Sequence, residues 1–175
     1  MSPPVILAID PGNTESAYVV MDHHFNPISH AKVPNEELLH LLHIGGKYLW
    51  KSVAIEMVAS YGMPVGREVF ETCVWIGRYH EAAVCAGKSV SFIYRMEEKE
   101  TLCHDSRAKD SNIRRALIDT FAKHDLKNGK GTKKKPDFFY GFAKDEWAAF
   151  AVGVTFLMKT NPEARRFIHE DLSRF

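Results

Sequence analysis

Four carboxylates stand where a folded chain can use them: Asp10, Glu56, Asp145 and Glu146. Asp10 follows the apolar run Val5-Ile6-Leu7-Ala8-Ile9 and precedes Pro11-Gly12-Asn13. A strand stopped by turn residues leaves its last side chain at a sheet end, where sites in α/β folds concentrate. The same aspartate can instead satisfy the amides of its own turn. Glu56 interrupts a second apolar run, Ser52 to Met57. An ionised carboxylate there is costly unless it pairs with a buried Arg or Lys or binds a metal. Asp145 and Glu146 open an apolar helical pattern, where the helix dipole favours acids in any case. Two strand positions and a helix start converge if that helix packs across the sheet. Carboxylates that converge without basic partners repel one another unless a cation neutralises them. Hard oxygen ligands select Mg²⁺ or Mn²⁺ rather than zinc. Two such ions ~3.5–4 Å apart can activate water and stabilise the leaving oxygen of a phosphodiester.

The elements that must hold these groups follow from hydrophobic spacing. Val5–Ile9 and Ser16–Met21 predict a hairpin, and Pro27–Val33 extends it to a three-strand meander. Asn35 is placed as the N-cap of an amphipathic helix carrying Leu38, Leu39, Leu41 and Leu42, stopped by Gly45-Gly46. Ser52–Met57 is a buried strand. From Gly66 to Ala86 the positions Val69, Cys73, Ile76, His80 and Ala83 recur at helical spacing, and Gly87 ends the run. Ser89–Tyr94 is a further strand. Ser111–His124 repeats through Ile113, Leu117, Ile118 and Phe121, and Lys127–Lys135 is an apolar-free, glycine-punctuated loop expected to be mobile. The last long helix covers Lys144–Lys159 and ends at Asn161-Pro162, leaving a tail from Glu163 to Phe175 for a short peripheral helix. The order βββαβαβαα predicts an α/β fold: a mixed central sheet of about five strands flanked by helices, as one domain over residues 1–175.

Bulk composition narrows the class. Of 175 residues, 45% are apolar and 26% charged, which suits a folded chain rather than a disordered one. No apolar run approaches the ~18 residues of a membrane helix, and Met1-Ser2-Pro3-Pro4 leads into a strand without a secretory signal. Cys73, Cys85 and Cys103 are an odd number without a CxxC pair, so they read as small core residues in a reducing, cytoplasmic setting. The net charge of +1 is unevenly spread. Between His104 and Lys135, ten Lys/Arg face four Asp, so this stretch carries +6 and the remainder −5. A local basic face on a near-neutral chain suits a specific polyanion site, although a solvated helix face plus a lysine-rich loop gives the same count. The phosphate-contact candidates are Arg107, Lys109, Arg114, Arg115, Lys130, Lys133, Lys134 and Lys135.

Three segments extend this reading. ILAIDPGNTESAYVV (Ile6 to Val20), AIEMVASYGMPVGREVFETCVWIGRYHEA (Ala54 to Ala82) and KDEWAAFAVG (Lys144 to Gly153) resemble the RuvC family of Holliday-junction resolvases, particularly its phage-borne branch. The segment RAKDSNIRRALID (Arg107 to Asp119) is similar to that family's basic region. The resemblance implies an RNase H-like fold, a homodimer, and two Mg²⁺ or Mn²⁺ ions that serve to nick strands at four-way junctions in DNA recombination, repair or phage DNA processing. It matches Asp10 to the first-strand aspartate and Glu56 to the glutamate of the AIE strand. It implies that Asp10 bridges both ions while Glu56 and the helix acid each complete one shell, leaving 5′-phosphate ends. The family's helix motif is often DxxDA; here Asp145 fits the first acid, and Ala148 occupies the second acid's place. A one-residue shift makes Glu146 the ligand instead. Adjacent helical residues point ~100° apart, so the two acids do not serve one ion.

Other features have plainer readings. Tyr61 and Met63, just after the Glu56 strand, are placed for an apolar wedge into branched DNA or for covering a core edge. His40 and His43 lie three apart on a helix but lack a third zinc ligand nearby. The Gly66–Ala86 helix carries Phe70, Cys73, Trp75, Ile76 and Tyr79 on more than one face, one for the core and one for a dimer partner. Asp10-Pro11-Gly12-Asn13-Thr14 also fits the DxGxT of actin-like ATPases and sugar kinases. Those need a second glycine-rich phosphate loop and about twice this length, so no nucleotide cofactor is expected. Two rivals keep the fold: a nuclease for other branched DNA or RNA–DNA hybrids, and a catalytically weak junction-binding protein.

Overall fold

Strand β1 (Val5–Asp10) is covered on both faces, and its continuous apolar run makes it the centre of the sheet. A computed structural model describes residues 5–44 and 50–164. Strands β2 (Glu15–Asp22) and β3 (Pro27–Pro34) complete an antiparallel meander with β1. Strands β4 (Trp50–Met57) and β5 (Ser89–Tyr94) add parallel to it, giving five strands in the order β3-β2-β1-β4-β5. The α/β architecture is therefore the expected one. Among the described residues no helix is long and apolar enough to cross a membrane.

Period-two alternation divides the core between the two faces of the sheet. Leu7, Ile9, Val53 and Ile55 face helices α1 (Asn35–His43) and α2 (Arg67–Cys85), meeting Leu38, Leu42, Ile76 and Tyr79. Ile6, Ala8, Ala54 and Ile93 face the other way, toward helices α4 (Asp110–Phe121) and α5 (Lys144–Thr160). There α5 lies almost on the sheet because Gly153 has no side chain. A Cβ at Gly153 would stand 2.5 Å from Met21 Cε and 3.1 Å from Ala8 Cβ. This close approach carries the start of α5 to the strand ends.

Several expectations need correction. Helix α3 (Arg95–Cys103), directly after β5, was absent from the predicted order. Asn35 is the first helical residue rather than the N-cap; it is buried, accepts from Ser16 Oγ at 2.7 Å and donates to the Gly12 carbonyl at 2.9 Å. Helix α4 stops at Phe121, short of His124. Cys85 is exposed rather than in the core. His43 bonds the Leu39 carbonyl, and His40 is exposed. The Gly45-Gly46 stop and the tail from 165 onward lie outside the described residues.

The lysine loop is tied down rather than free, by two aspartates. The buried carboxylate of Asp137 accepts from the amides of Lys123, His124, Asp125 and Phe138, at 2.7–2.9 Å for the shortest bond of each. Asp125 accepts in turn from the amides of Asn128, Lys130 and Gly131. Burial alone would raise the Asp137 pKa, but those amides hold it well below the usual carboxylate range. Gly131 has φ of 66°, and a Cβ there would meet the Lys135 carbonyl oxygen at 2.3 Å. The result is a tight hairpin turn at Thr132–Lys135, closed by mutual backbone bonds of 2.9 and 3.1 Å. Asp137→Ala strands these buried amides, at about 1–3 kcal/mol for each group left unsatisfied. We expect a loss of roughly 3 kcal/mol or more in urea unfolding. A change below ~1 kcal/mol would show that Asp137 does not organise the loop.

Candidate active site

Sheet register builds the acidic pair. Ile9 lies beside Ile55 in the parallel β1–β4 ladder, so Asp10 and Glu56 emerge side by side at the same end. Both lie on the face of Ala8 and Ala54, toward α5. The turn after Asp10 is held by other groups: Ser16 Oγ accepts from the Gly12 amide at 3.2 Å and meets Tyr79 Oη at 3.0 Å. The Asp10 carboxylate is thus left to its neighbour, and it shares a hydrogen bond with Glu56.

This pair is electrostatically loaded. Burial, and then the charge of Glu56, push the Asp10 pKa up to about 8. Burial raises Glu56 as well, although Arg95 and the bond from Asp10 oppose the rise. Arg95 is the first residue of α3, and Glu56 lies beside Ile93 in the β4–β5 ladder. Its Nη1 stands 3.9 Å from Glu56 Oε1 but only 2.8 Å from Glu98 Oε2, and Nη2 reaches Asp110 at 2.9 Å. The salt bridge envisaged for Glu56 is therefore long, with the guanidinium committed elsewhere.

Helix α5 supplies the opposite wall. Asp145 and Ala148, one turn apart, line a cleft of about 470 Å³ together with Asp10, Glu56, Arg95 and Arg114. Asp145 bonds Lys32 of β3 at 2.7 Å. Glu146 turns away: it is buried, accepts from the Ala143 amide at 2.6 Å, and meets His30 Nδ1 at 3.1 Å. Of the two helix acids left open by the sequence, Asp145 faces the cleft and Glu146 caps its own helix. Ala148, at the place of the second acid in the DxxDA pattern considered above, also lines the cleft.

Divalent-cation binding can be tested against this donor set. Asp10 and Glu56 offer carboxylate oxygens that are largely buried, adjacent and incompletely neutralised, which is what a hard cation requires. Among the described residues no group of three His, Cys, Asp or Glu side chains stands close enough to hold an ion as placed. Asp145 is drawn toward Lys32 at the cleft edge. The pair fits a metal; the third carboxylate of the cleft, Asp145, is held by its lysine.

The basic candidates divide. Arg114 lines the cleft and lies over the Trp147 ring at 4.5 Å. Arg107 and Lys109 are exposed between α3 and α4, and Lys133, Lys134 and Lys135 are exposed on the hairpin. Arg115 differs from expectation, because Asp119 and the Leu126 carbonyl already engage its guanidinium. Lys130 is half-buried, with its amide on Asp125. Tyr61 is exposed in a turn with φ of 49°, next to exposed Met63. The charged cleft residues Arg95, Asp110 and Lys144 escaped the sequence reading as site candidates, as did Glu98 behind them.

No protein-family model matches the chain, and no curated protein matches its sequence. Solved structures do match. RuvC from Thermus thermophilus superposes with a TM-score of 0.60 at 18% identity, over 86% of this chain and 92% of that one. The same protein in complex with a Holliday junction substrate gives 0.61 at 19% identity, over 90% and 96%. The fold is RuvC-like. At these identities the likeness concerns backbone architecture: an RNase H-like mixed sheet flanked by helices.

Proposed function

We propose that this chain is a metal-dependent, structure-selective endodeoxyribonuclease that resolves four-way DNA junctions by paired nicks. The observation that carries the proposal is the partly buried Asp10–Glu56 pair opposite Asp145 in one cleft, on a RuvC-like fold. Four-way DNA as substrate draws support from the T. thermophilus RuvC structure with a Holliday junction.

Asp10, Glu56 and Asp145 would hold Mg²⁺ or Mn²⁺. Bound there, the ions supply Lewis-acid activation of water and charge stabilisation for the scissile phosphate and leaving oxygen. The chain's own groups do the rest. Asp10, whose pKa burial and Glu56 push up to about 8, would have to lose its proton for a cation to bind, so uptake would release a proton and strengthen with pH. Asp145 would have to leave Lys32 to reach the site, and the ammonium would then stand beside it, open to a phosphate. Arg114 and Lys144 orient the strand in the cleft. The hairpin lysines and Arg107 and Lys109 hold duplex arms. A homodimer would use the outer face of α2, where Phe70 and Val74 are 62% and 63% exposed, and Tyr61 and Met63 would meet the junction centre.

The deciding experiment offers labelled four-way junction, replication fork and RNA–DNA hybrid with each metal. Symmetrical nicks in the junction support the proposal. A second reading, a junction-binding protein with weak catalysis, draws on Ala148 and on the Lys32–Asp145 pair; tight binding without cleavage under either metal would establish it. Preference for the hybrid would point to another nuclease of this fold.

The hairpin contributes a separate expectation. Changing Lys133, Lys134 and Lys135 together to Ala lowers the magnitude of the log K against log[salt] slope by about 2–3, since each phosphate contact contributes ~0.9. An unchanged slope in a salt titration removes these lysines from the DNA interface.

A further inference from the structure

Glu98 is the one buried residue of α3, and it is a carboxylate. Its side chain is 0% exposed, and its Oε1 has no hydrogen-bond partner among the described residues. The other oxygen, Oε2, holds Arg95 Nη1 at 2.8 Å. The same Nη1 stands 3.9 Å from Glu56 Oε1 and lines the cleft that Asp10 and Glu56 share. A carboxylate this deep needs a reason, because removing it from water costs several kcal/mol unless it is well paired. Tying α3 to α4 does not supply one, since exposed Asp110 already does that through Nη2 at 2.9 Å.

We propose that Arg95, positioned by Glu98, is a resident counter-cation of the acidic pair that competes with the divalent ion for Glu56. With the metal absent, the guanidinium offsets the charge of Glu56, while burial and Glu56 push the Glu98 pKa up to about 9. With the metal present, a second cation must settle on an oxygen 3.9 Å from a fixed positive charge. Glu98 sets the place of that competition: its Oε2 holds the guanidinium within reach of Glu56. The inference rests on the metal-site reading above and assigns Arg95 and Glu98 a role in tuning it.

Two variants separate this role from a merely structural one, with Mn²⁺ alone as the probe and calorimetric titration as the readout. Glu98→Gln keeps the guanidinium and exchanges a carboxyl whose pKa burial and Glu56 push up to about 9 for an uncharged amide, so at pH 7 the first Mn²⁺ binds within about threefold of the unaltered protein. Arg95→Met combined with Glu98→Gln removes the competitor and leaves no buried unpaired charge behind it. Its first Mn²⁺ binds about tenfold more tightly than in the unaltered protein. Circular dichroism and thermal unfolding establish that each variant is folded. If Arg95 and Glu98 only brace α3, both variants lose stability and their Mn²⁺ affinities stay together. Equal or weaker affinity in the double variant overturns the proposal while leaving the metal site standing. Absence of Mn²⁺ binding to the unaltered protein overturns both.

Discussion

Asp10→Asn abolishes junction cleavage, by roughly 10³-fold or more, and at the same time stabilises the metal-free protein above neutral pH. The two effects share one cause. In the folded chain burial and Glu56 raise the Asp10 pKa from 3.8 to about 8. A carboxyl whose folded pKa lies above its unfolded value favours the fold while protonated in both states. That contribution is complete below about pH 4 and is lost as pH rises toward 8. Metal-free protein is thus weakest in mildly alkaline solution, where the site would be most ready to take up a cation. Asparagine keeps the shape and can donate to Glu56 without ever ionising. At pH 8 we expect it to raise stability by ~1 kcal/mol or more, or about 2–4 °C in Tm for a chain of this size. Thermal unfolding of both proteins at pH 5.5 and 8, with chelator, gives the answer. A variant equally inactive but less stable at pH 8 would show that Asp10 is a structural residue.

The second large effect is a split between neighbours on α5. Asp145→Asn lowers nicking by about 10²-fold or more with little change in stability, because its half-exposed pair with Lys32 contributes only ~0–1 kcal/mol. Glu146→Ala does the reverse. It removes the acceptor for the Ala143 amide and the contact to His30, costing about 1–3 kcal/mol, while cleavage at 25 °C stays within a fewfold. Measuring nicking and Tm on both variants tests the assignment. If Glu146→Ala is inactive yet stable, the roles are exchanged and the cleft has been drawn on the wrong face of the helix.

The site was legible in proportion to how strongly burial conflicts with charge in sequence. Glu56 stands out because it breaks an apolar strand, and Asp10 because turn residues stop its strand beside it. The sequence favoured Asp145 over Glu146 only through the motif match, since both suit a helix start; their placement depends on which face of α5 Gly153 presses to the sheet. Helix α3 was missed for a physical reason. RMEEKETLC offers no apolar stripe, and the residue it buries is Glu98. Hydrophobic periodicity does not register a helix whose inward face is ionic. The lysine loop failed similarly: apolar-free spacing suggests freedom, but Asp125 and Asp137 order its backbone through amides that leave no trace in composition. The three-strand meander and the parallel strands were legible because their alternation and turn residues agree.

Gly153 has a bearing on the life of the chain as it is made. Strands β1 to β5 are complete by Tyr94, so Asp10 and Glu56 can lie side by side while the polypeptide is still being elongated. Asp145 arrives only with the final long helix, and that helix seats only when Gly153 reaches Met21 and Ala8. Until then one face of the sheet has no cover, and the acidic pair has no opposing wall. A partly synthesised chain on the ribosome therefore carries an unfinished site, and the strand and helix acids meet only after Lys144–Thr160 has been added.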